Sequence, residues 1–188
     1  MAGSFIGRVS RANFAENRLS RRCVVLSLAL FWVLVGFLPA AFAQLTDEII
    51  LVPLIDINFS GWQKKTGFPK IEKGQDGEKG WIEAQNIYQK GGSTLTAVIA
   101  EGGEVSKDLT AIEALPEYDK KEGFRKKITI GGLQGMESYD RGQKKGTLVL
   151  NVRNRFGVRL EVGPAENTGV LKDFANKMPL TKLWKLAQ

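Results

Sequence analysis

The sequence contains no histidine, and its 188 residues include a single cysteine, Cys23. Without histidine, a Ser-His-Asp triad and a Cys-His pair are both impossible, and a zinc site would need carboxylate ligands alone. Cys23 lies in a segment that we expect to be removed, so the remaining chain would carry no thiol nucleophile and no internal disulfide. We therefore predict no catalytic residues, no cofactor and no metal site.

The first 43 residues have the composition of a secretory signal peptide. Five arginines and one glutamate precede 21 uncharged residues from Cys23 to Ala43, which end in the small-x-small sequence Ala41-Phe42-Ala43. This order predicts export and cleavage between Ala43 and Gln44. An uncleaved membrane anchor is the alternative, because an apolar run of this length can span a bilayer. In either case we expect residues 44–188 to form one exported domain, periplasmic in a bacterium or secreted.

Much of the positive charge is confined to the same segment. The net charge is +7 for the whole chain and +4 for residues 1–43, which leaves +3 for the remainder. So small an excess is weak support for a nucleic-acid partner. We predict no nucleic-acid partner, and a membrane partner only where the N-terminal segment stays attached.

The clearest folding signal is the stretch from Gly146 to Val162. Large apolar residues alternate with more polar ones on both sides of Arg153-Asn154-Arg155, as expected for two half-buried strands. Asn154 tolerates the left-handed backbone that a tight turn needs. A three-residue loop gives a register in which every large apolar side chain lies on one face, with the pairs Leu148–Leu160, Leu150–Val158 and Val152–Phe156.

Similar patterns predict the rest of the fold. Further strands are expected at 81–89 and 93–100 around Gly91-Gly92, and at 126–130 and 133–140 around Gly131-Gly132. Helices are expected near Thr46 with a limit at Pro53 (a strand is the alternative), from Ser106 or Asp108 to Leu115, and from a Thr168 cap to Pro179. Residues 64–80 have the composition of a solvated loop. The sum is an α+β fold of about six antiparallel strands, with two or three helices covering one face.

A resemblance to a known group rests on loose structural motifs in about residues 50–188. They are Gly61-Trp62, the Trp81–Tyr88 strand, Ile128-Thr129-Ile130-Gly131-Gly132, the turn Asn154-Arg155-Phe156-Gly157-Val158, and the closing Leu180-Thr181-Lys182-Leu183. On these the chain resembles small exported bacterial proteins of unknown function with a fold similar to that of PsbP and DcrB. The resemblance implies an antiparallel sheet backed by helices. It implies no active site.

Three arginines near the central hairpin are the best candidates for a binding surface. Arg153 and Arg155 lie in the predicted loop, and Arg159 lies on the strand that follows. We expect their side chains to point away from the core or into the loop, toward a partner protein or an anionic surface. A solvated face without a partner is the alternative. The favoured function is therefore an exported, non-catalytic binding or accessory protein of unknown partner.

A second possible function is a carrier of a small ligand or of hydrophobic cargo. Trp62, Trp81 and Tyr88 are the candidate lining residues, although packing in the core would use the same side chains. Such a carrier needs a pocket of several hundred cubic ångströms.

A third is a carboxylate-dependent hydrolase, which needs two acids facing each other across a cleft. Elimination leaves four acids as candidates, each of which can equally be an ordinary surface residue: Glu83, Glu137, Asp140 and Glu161.

Overall fold

The computed structural model describes residues 46–76, 79–102 and 114–188. Three helices lie in these ranges, numbered here α1 (Glu48–Ile55), α2 (Gly169–Lys177) and α3 (Leu180–Leu186), and none of them is long and apolar enough to cross a bilayer. The nine strands in the same ranges are β1 (Gln63–Lys64), β2 (Lys70–Asp76), β3 (Lys79–Lys90), β4 (Ser93–Glu101), β5 (Tyr118–Lys120), β6 (Gly123–Ile130), β7 (Leu133–Asp140), β8 (Lys145–Val152) and β9 (Phe156–Gly163). The predicted cleavage site at Ala43 and Gln44 lies outside the described residues. So does nearly all of the helix predicted from Ser106 or Asp108 to Leu115.

The strands form one antiparallel sheet. Its order is β1-β3-β4-β9-β8-β7-β6-β5, and β2 continues along the same edge of β3 as β1. An antiparallel sheet together with helices confirms the predicted α+β class. The sheet is nevertheless larger than the predicted six strands, because β1, β2 and the short β5 extend its two edges.

The prediction of a solvated loop over residues 64–80 is wrong. β2 pairs with β3 from Lys70 opposite Gln85 to Asp76 opposite Lys79. An edge strand tolerates the lysines and glutamates that made this stretch look unstructured, because one of its sides stays in water. Gly74 also has a packing role, since a methyl group there would lie 2.7 Å from the Trp81 indole.

The two principal hairpins follow the predicted patterns. β8 and β9 pair with Val152 opposite Phe156, and the paired positions continue as predicted to Leu148 opposite Leu160. Asn154 has a left-handed φ of 57°, and the preceding Arg153 shares that conformation with a φ of 56°. The β3–β4 turn is the pair Gly91-Gly92, whose φ values of 53° and 84° explain why glycine occupies both positions.

Strand alternation sorts the side chains onto two faces of the sheet. The face that carries Leu148 and Leu160 holds most of the buried apolar cluster. Residues of the helices belong to the same cluster, among them Leu51 and Ile55 of α1 and Leu171 and Phe174 of α2. The Phe174 ring meets the rings of Phe59 and Tyr88 edge-on, at centroid distances of 5.1 and 5.0 Å.

The first helix begins one residue later than predicted. Asp47, and not Thr46, caps α1 by accepting a hydrogen bond from the Ile49 amide at 3.1 Å. The helix ends at Ile55, two residues after Pro53, so the alternative of a strand in this region is wrong. Thr46 serves a different purpose, described below.

Candidate functional site

Arg155, one of the three predicted surface arginines, is engaged inside the domain. Its Nε donates to Oε1 of the buried Glu101 at 2.7 Å, its Nη1 donates to the carbonyl oxygen of Leu186 at 2.8 Å, and its Nη2 lies 3.3 Å from Oγ1 of Thr46. The Thr46 amide donates to the other Glu101 oxygen at 2.7 Å. We call these four residues the Arg155 clamp. It joins the start of the described chain, the end of β4, the β8–β9 loop and the end of α3.

The other two arginines lie on separate surfaces. The guanidinium of Arg153 lies 4.7 Å from the centre of the Trp184 ring and remains exposed. Arg159 pairs with Val149 on the face of the sheet opposite the core, where its Nε lies 3.9 Å from the Glu161 carboxylate. The three side chains therefore do not converge on one site, and Arg153 is the one with its charge turned to water.

Tyr88, one of the predicted pocket aromatics, is a core residue. It is fully buried, and its hydroxyl donates to the Ile55 carbonyl at 2.5 Å and accepts from the Ile57 amide at 3.1 Å. The Asn86 amide donates to the same Ile55 carbonyl at 3.3 Å. Burial raises the pKa of Tyr88 to about 12. This hydroxyl fixes the end of α1 to β3 and is not available to a ligand.

The remaining two aromatics lie in different places. Trp81 lies over Gly74 on the sheet face opposite the core, whereas Trp62 is half-buried beside an open groove. Gly61 has a φ of 77°, which turns the chain so that the Trp62 amide donates to the Phe59 carbonyl at 2.9 Å. The rings of Trp62 and Phe59 stack with their centroids 6.0 Å apart and an angle of 27° between their planes. Trp62 is therefore a predicted aromatic that borders a groove.

The groove beside Trp62 has a volume of about 660 Å³ and runs between the Phe59–Trp62 segment and α2. Amide, hydroxyl, carboxylate and ammonium groups surround the aromatic pair, and the lining residues are Phe59, Ser60, Trp62, Lys90, Asn167, Gly169, Val170, Asp173, Asn176 and Lys177. A second depression of about 400 Å³ adjoins it, because Lys90 lines both, and extends over the Gly91-Gly92 turn. We call the larger one the Trp62 groove.

The charges in the Trp62 groove are unbalanced. Among the described residues that line it, Lys90 and Lys177 are cationic and Asp173 is the one acid. Within the described ranges, no ion pair or hydrogen bond engages any of these three side chains. Asn167, by contrast, uses its oxygen to accept from the Gly169 amide at 2.8 Å, which leaves its NH₂ group as a donor. The groove thus offers an aromatic surface, several hydrogen-bonding groups and a small positive excess.

The four candidate acids for hydrolysis are not brought together. Glu137 points into the core face, whereas Glu83, Asp140 and Glu161 alternate onto the opposite face. Glu161 is paired with Lys145 at 2.7 Å. Burial raises the pKa of Glu83, an effect that Arg159 opposes and Glu72 reinforces. In residues 46–76, 79–102 and 114–188 no three acids are grouped as a metal site would require.

The Glu137 carboxylate is buried and bound by neighbouring side chains. It is fully buried; Oγ1 of Thr168 donates to its Oε1 at 2.5 Å, and the ammonium groups of Lys172 and Lys126 lie 3.0 and 3.3 Å from its carboxylate. Burial by itself raises the pKa of Glu137, but the hydrogen bonds from Thr168 and Lys172 and the charges of both lysines outweigh it, so the pKa is lowered. Thr168 precedes α2 as predicted, but its hydroxyl serves Glu137 and makes no bond to the helix amides.

Most residues of the Trp62 groove were not predicted as functional. The available signal was the polar stripe of α2, where Asp173, Asn176 and Lys177 recur at helical spacing opposite the apolar stripe. Such a stripe is usually a solvated face. The indication that it binds a ligand is the position of Trp62 on the other side of the groove. In comparisons with known proteins, no family model, curated sequence or solved structure matches this chain.

Proposed function

We propose that this chain is an exported, non-catalytic binding protein that holds a small acidic saccharide in the Trp62 groove, and that α1, α2 and α3 together cover the core face of its sheet. The observation that carries the proposal is the meeting of a half-buried tryptophan with unpaired polar side chains of α2 across an open groove. Neither the buried Glu137 nor the acids of the opposite face enter into it.

The aromatic pair favours a ligand with a flat apolar face. An indole stacked on Phe59 has little freedom to move, so ordering it on binding costs little entropy. The CH face of a pyranose ring suits such a surface, and its hydroxyl groups can exchange hydrogen bonds with Asn167, Asn176 and Ser60. An alkyl cargo would leave these polar groups without partners, which disfavours a purely apolar ligand.

The two unpaired lysines favour a ligand that carries negative charge. Lys90 and Lys177 outnumber Asp173, and a carboxylate on the ligand would form charge-assisted hydrogen bonds with either ammonium group. Uronic acids combine a pyranose ring with a carboxylate, so they fit both features of the groove. We expect short oligomers to bind better than the monomer, because the second depression continues past Lys90.

Isothermal titration with galacturonate and galactose oligomers of equal length tests the proposal. We expect binding of the acidic oligomer, and binding of the neutral one at least several-fold weaker. Trp62→Ala should reduce the affinity at least tenfold, since aromatic anchors account for much of a binding energy. Trp184→Ala, on a different surface, is the matched control and should bind as the unchanged protein does.

A second variant separates binding from folding. Lys177 is exposed and belongs to no ion pair in the described ranges, so Lys177→Gln should fold normally while narrowing the preference for galacturonate over galactose. The absence of any heat with the acidic oligomer, or equal affinity in Trp62→Ala and the unchanged protein, would refute the proposed function.

A further inference from the structure

Three large apolar side chains remain exposed on two neighbouring helices. Ile49 and Ile50, on the first turn of α1, have 74% and 42% of their surface exposed, and Trp184 of α3 has 39%. The two helices lie against each other. Single exposed apolar residues are common, but three of them on two helices that contact each other are typical of an interface.

Exposed cations lie on α3 and on the β8–β9 loop that contacts it. The guanidinium of Arg153 stacks on Trp184, and Lys182 and Lys185 project from α3. In the described part of the chain, none of the three takes part in an ion pair. We call the surface formed by Ile49, Ile50, Arg153, Lys182, Trp184 and Lys185 the helical end.

The nearest acids on α1 are already occupied. The Asp47 carboxylate accepts from the Ile49 amide as the helix cap, and the Glu48 carboxylate is paired with Lys73 at 2.9 Å. Asp47 keeps its negative charge, so the three cations without an ion pair outnumber it and the helical end has a positive excess. Apolar side chains, a tryptophan and unpaired cations are together the composition of proteins that rest on anionic membranes.

The path of the chain points to the same partner. The Arg155 clamp fixes Thr46 beside Leu186, and so places the start of α1 next to α3. The uncharged run of the sequence ends at Ala43, three residues before Thr46. If the run is not cleaved, the protein is anchored in a bilayer, and a lipid surface is then always present as a partner.

We infer that the helical end is a docking surface for a lipid bilayer with anionic head groups. Ile49, Ile50 and the Trp184 ring enter the head-group region, and Arg153, Lys182 and Lys185 meet the lipid phosphates. Each cation should raise the ratio of docked to undocked protein about fivefold on an anionic surface. This inference does not depend on what occupies the Trp62 groove.

The full chain, reconstituted in vesicles, tests the inference. Cys23 is the single cysteine, so a Cys23→Ser background accepts one fluorescent probe, attached through Thr181→Cys on α3 or through Gln143→Cys in the β7–β8 turn. Lipids with a quencher in the head group are added to vesicles of phosphatidylcholine, with or without phosphatidylglycerol. We expect strong quenching at position 181 in the anionic vesicles, weaker quenching in neutral ones, and little at position 143 in either.

Two sets of variants identify the groups responsible. Arg153→Gln, Lys182→Gln and Lys185→Gln together should lower the docked ratio about 100-fold and reduce quenching at position 181 to the level at position 143. Ile49→Ser with Ile50→Ser should have a similar effect without a change of charge. The charge-matched control replaces Lys120, Lys121 and Lys127, which lie on or beside β5 and β6, with Gln and should leave the quenching unchanged.

Urea midpoints of all variants establish that they fold. Equal quenching at positions 181 and 143 would overturn the inference. So would quenching at position 181 that is the same with and without phosphatidylglycerol. So would protection of position 181 by another protein with no quenching by lipid, since the surface would then serve a protein partner.

Discussion

Arg155 and Glu101 form an ion pair, with 2.7 Å between Nε and Oε1, although 54 residues separate them in the sequence. Glu101 is almost fully buried at the end of β4, and the Arg155 side chain is about one-third exposed. A buried carboxylate is costly unless it is paired and hydrogen-bonded. Arg155 provides both the opposite charge and a hydrogen bond to Glu101, and its remaining NH groups reach Thr46 and Leu186. The pair therefore adds side-chain contacts among four segments of the chain.

Arg155→Met should destabilise the fold by about 2–4 kcal/mol, because it leaves Glu101 buried without its cation. The measurement is urea denaturation at pH 7. The double variant Arg155→Met with Glu101→Leu should recover part of the loss, since no unpaired charge then remains. Arg153→Met, next but one in sequence, is the control and should cost about 1 kcal/mol or less, the value of its contact with Trp184. Equal losses for Arg153→Met and Arg155→Met would contradict the clamp.

The sequence predicts local pairing well and distant polar pairing poorly. The β8–β9 register follows from alternation alone, because one shift would turn Leu150 and Val158 out of the core. Nothing in alternation connects Arg155 with Glu101, since the two belong to different hairpins. β2 could not be predicted for a related reason. Its charged residues are tolerated because it is an edge strand, and the sequence does not show which strands will lie at the edge of the sheet. The Trp62 groove likewise exists only once α2 lies opposite Trp62.

Glu137 should make the stability of the protein sensitive to acid. Its pKa is lowered in the folded chain from an ordinary value of 4.5, so the unfolded chain takes up this proton first as the pH falls. The stability that Glu137 contributes is thus complete above about pH 4.5 and is lost as the pH falls through the lower, folded pKa. Urea midpoints between pH 7 and 3 should fall less steeply for Glu137→Gln than for the unchanged protein.

Glu166 offers the matched control for that experiment. Its side chain is 82% exposed, and water screens its ion pair with Lys144, so Glu166→Gln should change the urea midpoint at pH 7 little. A pH profile of Glu137→Gln parallel to that of the unchanged protein would mean that the Thr168 and Lys172 contacts do not hold the Glu137 carboxylate in its charged form.

Tyr88 should act at the opposite end of the pH scale. Tyr88→Phe removes the donor to the Ile55 carbonyl and the acceptor for the Ile57 amide, at a cost of about 1–3 kcal/mol. In the unchanged protein the folded pKa is raised from 10.0 to about 12, so the stability from this proton is present below pH 10 and is lost as the pH rises through 12. The difference in tyrosinate absorbance between the unchanged protein and Tyr88→Phe should titrate near pH 12. A midpoint near 10 would show that the hydroxyl is not held as described.

The two proposed sites lie at opposite ends of the same strands. The Trp62 groove includes Lys90 at the end of β3. The helical end is joined to the Arg155 clamp through α3, and Glu101 of the clamp pairs with Ile82 near the start of β3. Eight residues of β3 separate Ile82 from Lys90, a distance of about 26 Å. A domain docked by its helical end would therefore turn the Trp62 groove away from the membrane. Each site can be disabled without touching the other, which lets the two proposals fail independently.

A close backbone approach in the sheet gives a final prediction. Gly135 of β7 lies opposite Leu150 of β8, and a methyl group on it would overlap the Val149 carbonyl oxygen and come within 2.8 Å of Leu150 Cδ2. Backbone atoms of a central strand cannot yield cheaply, so Gly135→Ala should destabilise the fold by about 1–3 kcal/mol or more. Gly163→Ala, where the nearest atom would be 3.8 Å away, is the control and should stay within about 0.5 kcal/mol. Equal urea midpoints for the two variants would mean that β7 and β8 do not approach at Gly135 as described.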